Sequence, residues 1–130
     1  DRHWSERYIG QPYIRGDQDC AALAERVARE VLGIDVQVPA QRGQGAFSRS
    51  AQIEREKFDV AERVDEPIDG QPVIMICCGR AQHIGVMCDL GGEWWVLHAD
   101  EGFGAVIRQR LRDLAPGGIR VEGFYRWMHA

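Results

Sequence analysis

Residues 83–99 read HIGVMCDLGGEWWVLHA: two largely apolar runs, 83–90 and 93–99, joined by Gly91 and Gly92. Paired glycines between such runs supply the backbone torsions of a tight hairpin turn, so the stretch is predicted to form two antiparallel strands. The turn also decides where two histidines go. With Gly91 and Gly92 as the loop, His98 falls opposite Gly85 and diagonal to His83 on the same face. With Leu90 and Gly91 as the loop, His83 and His98 are directly opposed. A three-residue loop without a bulge sends them to opposite faces, because a one-residue slip inverts every side chain. Gly85, beside His83, is expected to leave open space over that face.

The pattern extends outward from this hairpin. Residues 73–78, 105–110 and 119–128 are further short apolar runs, and 60–64 is a candidate edge strand. Pro67, Gly70 and Pro72 punctuate the chain before the sheet begins. Earlier residues are helical in pattern. Asp19 is a plausible N-cap, and over 20–32 the apolar Leu23, Val27 and Val31, with Ala24 and Ala28, recur at helical spacing while Glu25, Arg26, Arg29 and Glu30 cover the other side. Gly33 supplies the stop. Residues 4–9, ended by Gly10 and Pro12, and residues 48–58, capped near Ser48 or Ser50, read as two further helices. Helices followed by strands predict an α+β fold, with residues 1–130 forming one domain around an antiparallel sheet of about five strands.

Composition narrows the function. The chain has 130 residues, 45% hydrophobic and 28% charged, and this suffices for a core without staples. A net charge of −4 argues against nucleic acid as a partner. Arg108, Arg110 and Arg112 are expected to form only a solvated edge. No apolar run approaches the roughly 20 residues that span a bilayer, and no signal peptide is visible, so a soluble chain without membrane insertion is expected. Cys77, Cys78 and Cys88 read as buried small hydrophobes; no Cys-x-x-Cys pair supports zinc, and neither metal nor cofactor is expected. Trp94 and Trp95 point to opposite faces of their strand. Arg15-Gly16-Asp17 is taken as a chance tripeptide in a loop.

Cys20 carries the chemical interest. A cysteine at a helix N-terminus sits at the positive end of the macrodipole, which favours the thiolate. An imidazole can activate that sulfur and later protonate a leaving amine, while a second polar group fixes its tautomer. His83 and His98 are the candidates for those two tasks. Asp19 opposes thiolate formation unless its carboxylate is turned away to cap the helix.

The order Tyr8-Ile9-Gly10-Gln11-Pro12-Tyr13, Gly16, Asp19-Cys20 before a helix, His83-Ile84-Gly85-Val86 and His98-Ala99 resembles the NlpC family of bacterial cell-wall cysteine peptidases. The likeness runs from about Trp4 to Trp127. It implies a papain-like α+β fold in which N-terminal helices, the long one headed by the nucleophile, pack on the C-terminal sheet. It also implies cleavage of amide bonds in peptidoglycan stem peptides, with Cys20 as nucleophile, His83 as general acid/base, His98 as the orienting group and Tyr13 assisting at the oxyanion beside Cys20 and Asp19. Ala21-Ala22 stands where members usually have Ser-Gly. The ending Gly123-Phe124-Tyr125-Arg126-Trp127 is similar to that of relatives associated with phage tails, so a virion tail, with tail proteins as partners, joins the cell envelope as an expected location. Two other functions stay open: a structural or assembly component with an inactive peptidase scaffold, and an acyltransferase using the same thiol.

Overall fold

The computed structural model describes residues 2–14, 19–38, 61–77 and 80–128. Its centre is one six-stranded antiparallel sheet built from β1 (Ala61–Val64), β2 (Pro72–Cys77), β3 (Arg80–Leu90), β4 (Glu93–Asp100), β5 (Ala105–Arg110) and β6 (Ile119–Trp127), in the order β1-β6-β2-β3-β4-β5. The β3–β4 turn is Gly91 and Gly92, both at positive φ (62° and 87°), with Leu90 paired to Glu93. That is the two-residue register, and from it the positions of the histidines follow.

The papain-like α+β arrangement expected from the sequence is not what the chain adopts. The fold is predominantly antiparallel β, and the described helical segments are short. Residues 4–9 carry too few residues to propagate an α-helix and form a 3-10 segment, Trp4–Tyr8. The long expected helix is an eight-residue α1 (Cys20–Val27) continued by a π-turn, Ala28–Leu32, and closed by Gly33 at φ 72°. The expected helix over 48–58 lies outside the described residues, as do Arg15, Gly16, Asp17 and Cys78. The expected edge strand is present as β1, and the sheet has six strands because β6 enters between β1 and β2.

Both faces of the sheet are covered. On one, Leu23, Ala24 and Val27 of α1 pack with Ile84, Val86, Cys88, Leu97 and Ala99. On the other, Val73, Met75, Met87 and Val96 pack with Leu114, which follows the 3-10 turn Leu111–Asp113. Alternation along a strand explains the division: neighbouring residues of β3 and β4 go to opposite clusters. Trp94 and Trp95 divide in the same way, Trp94 against the second cluster and Trp95 against the first. Arg108 is not merely a solvated edge. Its guanidinium lies over Trp95 and donates to Ser5 Oγ and Glu6 Oε2, each at 2.8 Å. Residues 10–13 run beside β5, where Gly10 N donates to Val106 O and Tyr13 N to Gly104 O, both at 2.9 Å. Among the described residues no helix is long and apolar enough to cross a membrane.

Candidate active site

Asp19 and Cys20 start α1 in the way the sequence reading required. Asp19 has extended backbone (φ −95°, ψ −171°) and its carboxylate accepts from Ala22 N at 3.0 Å, satisfying one orphan donor of the first turn. The next residue, Cys20, is a free thiol only 6% exposed, in the cluster beneath α1. Burial is the largest influence on it and pushes its pKa up; the Ile84 backbone N–H, aimed at the sulfur, opposes this, and the Asp19 charge adds to it. The thiol is therefore protonated at rest. The macrodipole, worth about 0.3–1 kcal/mol, is too weak to overcome desolvation of a thiolate.

His83 and His98 meet. His83 Nε2 lies 2.7 Å from His98 Nδ1, with the rings nearly perpendicular, and His98 Nε2 lies 2.7 Å from Gln109 Oε1. A carboxamide oxygen only accepts, so His98 carries its proton on Nε2. Its Nδ1 is then a lone pair and accepts from His83 Nε2–H. The chain of bonds leaves His83 Nδ1 as the basic nitrogen. Burial first, then the neighbouring His98, holds the His83 pKa down to about 4, with the Asp100 carboxylate opposing. His98, 1% exposed, is lowered chiefly by burial as well, against the Gln109 hydrogen bond and Asp100. Both imidazoles are neutral near pH 7.

The thiol and the imidazoles reach β3 from different sides. Ile84 and Val86 face α1 and Cys20, whereas His83, Gly85 and Met87 alternate onto the other face, where Val96 and His98 also stand. The expected open space over Gly85 is absent: a Cβ placed there would lie 2.7 Å from Val96 Cγ1, 2.8 Å from Met75 Cε and 3.2 Å from Val73 Cγ1. The sulfur instead meets the strand at Ile84 N–H, one residue beyond His83. There the β3–β4 ladder, whose last pair is Val86 with Leu97, has ended. Tyr13 packs half-buried at the border of the first cluster, next to the bridge between Pro12 and Ala105.

No family model, curated protein or solved structure matches the chain. Two polar residues of the site escaped the sequence reading, Gln109 and Asp100. Gln109 was findable: the four-residue turn 101–104 sets His98 opposite Ile107, so residue 109 is the diagonal neighbour on the same face. Asp100 follows His98 by two residues and shares its side of β4; its Oδ2 accepts from Phe103 N at 2.8 Å. Cys88 is buried as expected, its thiol donating to Val86 O at 3.6 Å.

Proposed function

We propose that the protein is a cysteine peptidase that hydrolyses amide bonds of peptidoglycan stem peptides through an acyl-enzyme on Cys20, after the manner of the NlpC family whose motif order its sequence resembles. The observation that carries the reading is the relay from Gln109 through His98 to His83, which orients an imidazole and leaves Nδ1 as its base. A general base needs its tautomer fixed by such a partner, and the Gln109 bond supplies that here. The choice of peptidoglycan, and of an envelope or phage-tail setting, rests on the resemblance alone.

In the proposed reaction the Cys20 sulfur attacks the substrate carbonyl carbon while its proton passes to His83 Nδ1. Because thiol and imidazole are both neutral at rest, transfer accompanies attack rather than preceding it. The imidazolium keeps its Nε2–H bonded to His98 and delivers the new proton to the leaving amine. Water, deprotonated by the same nitrogen, then releases the acid from the thioester. The Cys20 backbone N–H, at the first turn of α1, and the Tyr13 hydroxyl are the oxyanion donors in this scheme, each worth roughly 3 kcal/mol when well placed. The scheme requires Sγ to come within hydrogen-bond reach of Nδ1 at the parted end of β3 and β4 once substrate binds.

One observation favours a different reading, a structural component with an inert thiol: Cys20 is buried and protonated. Incubating the purified protein with muropeptides separates the two. Peptide release detected by mass spectrometry, abolished in Cys20→Ala with the circular dichroism spectrum unchanged, is the expected result. Equal release by Cys20→Ala, or none by the wild type, refutes the peptidase.

A further inference from the structure

The Gln109–His98–His83 row has a third neighbour that the peptidase scheme leaves unused. The ligand atoms of His83, His98 and Asp100 all lie within 4.8 Å of one another. Two imidazole nitrogens and a carboxylate are a donor set for zinc-class transition ions rather than for magnesium or calcium, which prefer oxygen. The outer contacts of two of the three donors are already in place. Metal-bound histidines characteristically donate their far nitrogen to a carbonyl or carboxylate oxygen, and His98 Nε2 does so to Gln109 Oε1 at 2.7 Å. The candidate carboxylate is likewise held, with Phe103 N donating to Asp100 Oδ2 at 2.8 Å.

We propose that His83 Nε2, His98 Nδ1 and the Asp100 carboxylate form a binding site for a zinc-class divalent ion, and that its occupation switches the thiol chemistry off. Tetrahedral zinc with bonds of about 2.0–2.1 Å separates its donors by roughly 3.3 Å. The imidazole nitrogens, 2.7 Å apart, must part slightly, and the carboxylate must swing inward about its side-chain torsions. Water fills the fourth position. Binding demands a lone pair on His83 Nε2, so the proton that Nε2 gives to His98 moves through solvent to Nδ1, with no net gain or loss. Nδ1 is the nitrogen the hydrolytic scheme needs as a base, and with the proton there it can no longer accept from Cys20. The binding stands on the geometry of these three residues; the switching rests on the peptidase reading.

The test is calorimetric titration of the metal-free protein with zinc chloride, together with absorption spectra of the cobalt(II) form. One ion per chain is expected. Asp100→Asn, which retains an oxygen for the Phe103 N–H, should weaken binding at least tenfold, and Gln109→Leu by about 10–100-fold. Cys20→Ala should bind zinc unchanged, and the cobalt spectrum should lack a thiolate charge-transfer band. Absence of saturable binding, equal affinity in Asp100→Asn, loss of binding in Cys20→Ala, or a thiolate band in the wild-type cobalt form overturns the site. Circular dichroism of each variant guards against misfolding, and the wild-type cobalt spectrum decides even if a variant unfolds. In a parallel assay, muropeptide cleavage should fall with zinc occupancy and return on chelation. Cleavage that persists at saturating zinc overturns the switch, whereas zinc binding without any cleavage in metal-free protein refutes the peptidase and leaves the site standing.

Discussion

Replacing Gly85 by alanine tests the packing that separates the histidine face from the helix face. The added methyl would stand 2.7 Å from Val96 Cγ1, 2.8 Å from Met75 Cε and 3.2 Å from Val73 Cγ1, all on side chains with no solvent exposure. Met75 Cε is the end of a flexible chain and can move. Val96 Cγ1 sits on a β-branched residue with few rotamers, and it sets the cost. Overpacking of this kind costs about 1–3 kcal/mol, and the stiffer unfolded chain returns about 0.4–1 kcal/mol, for a net loss of about 1–2 kcal/mol. With an unfolding entropy of about 2.1 cal/mol/K per residue, that lowers Tm by roughly 4–7 °C. Thermal melts of Gly85→Ala, Val96→Ala and the double variant form a cycle. Val96→Ala alone should cost about 2 kcal/mol by lost burial and cavity, and the pair should lose at least about 0.5 kcal/mol less than the sum of the singles. A Gly85→Ala protein as stable as wild type, or singles that simply add, would mean that the space over residue 85 is open and that the two-sided description of β3 is wrong.

Three further outcomes are expected. Asp19→Ala removes the acceptor for Ala22 N and should cost about 1 kcal/mol, while Asp19→Asn should retain most of it, as thermal melts will read. Folding holds the His83 pKa near 4, below the 6.5 of an exposed imidazole, so between those values the unfolded chain binds more protons. Stability should therefore be lost as pH falls from about 6.5 towards 4, by at most about 3 kcal/mol; urea melts at pH 7, 5 and 4 should show a smaller loss in His83→Gln, and equal losses would refute the assignment. Gln109→Leu frees the His98 tautomer, so muropeptide turnover should drop about tenfold or more in kcat with KM nearly unchanged; a change confined to KM would remove Gln109 from the relay.

The central hairpin was readable because its signal is local. Two glycines between apolar runs define the turn, and counting outward from it places His98 beside His83. The start of α1 was equally plain, since an N-cap aspartate and a C-terminal glycine bracket the helical spacing. What escaped were quantities that spacing does not carry. Helical period says nothing about whether five residues can sustain a helix, and residues 4–8 cannot. No local pattern reveals that β6 pairs with β1, because those partners lie far apart in the chain. A glycine beside a histidine suggests open space, but glycine inside a strand equally marks where neighbouring side chains close in, as Val96 and Met75 do over Gly85. The charge state of Cys20 depended on burial, which a helix-terminus motif does not encode.

The last strand occupies an interior place in the sheet, and this constrains how the molecule can be made. Strands β2 to β5 follow one another as a meander and can zip together as they leave the ribosome, but β1, synthesised before them, has no partner among the described strands until residues 124–127 arrive. Until then the outer side of β2 offers unpaired amides and carbonyls to any neighbouring chain. A nascent or truncated product ending before residue 119 is thus a sticky half-sheet. The half-sheet closes only when β6 docks between β1 and β2, two elements made before it.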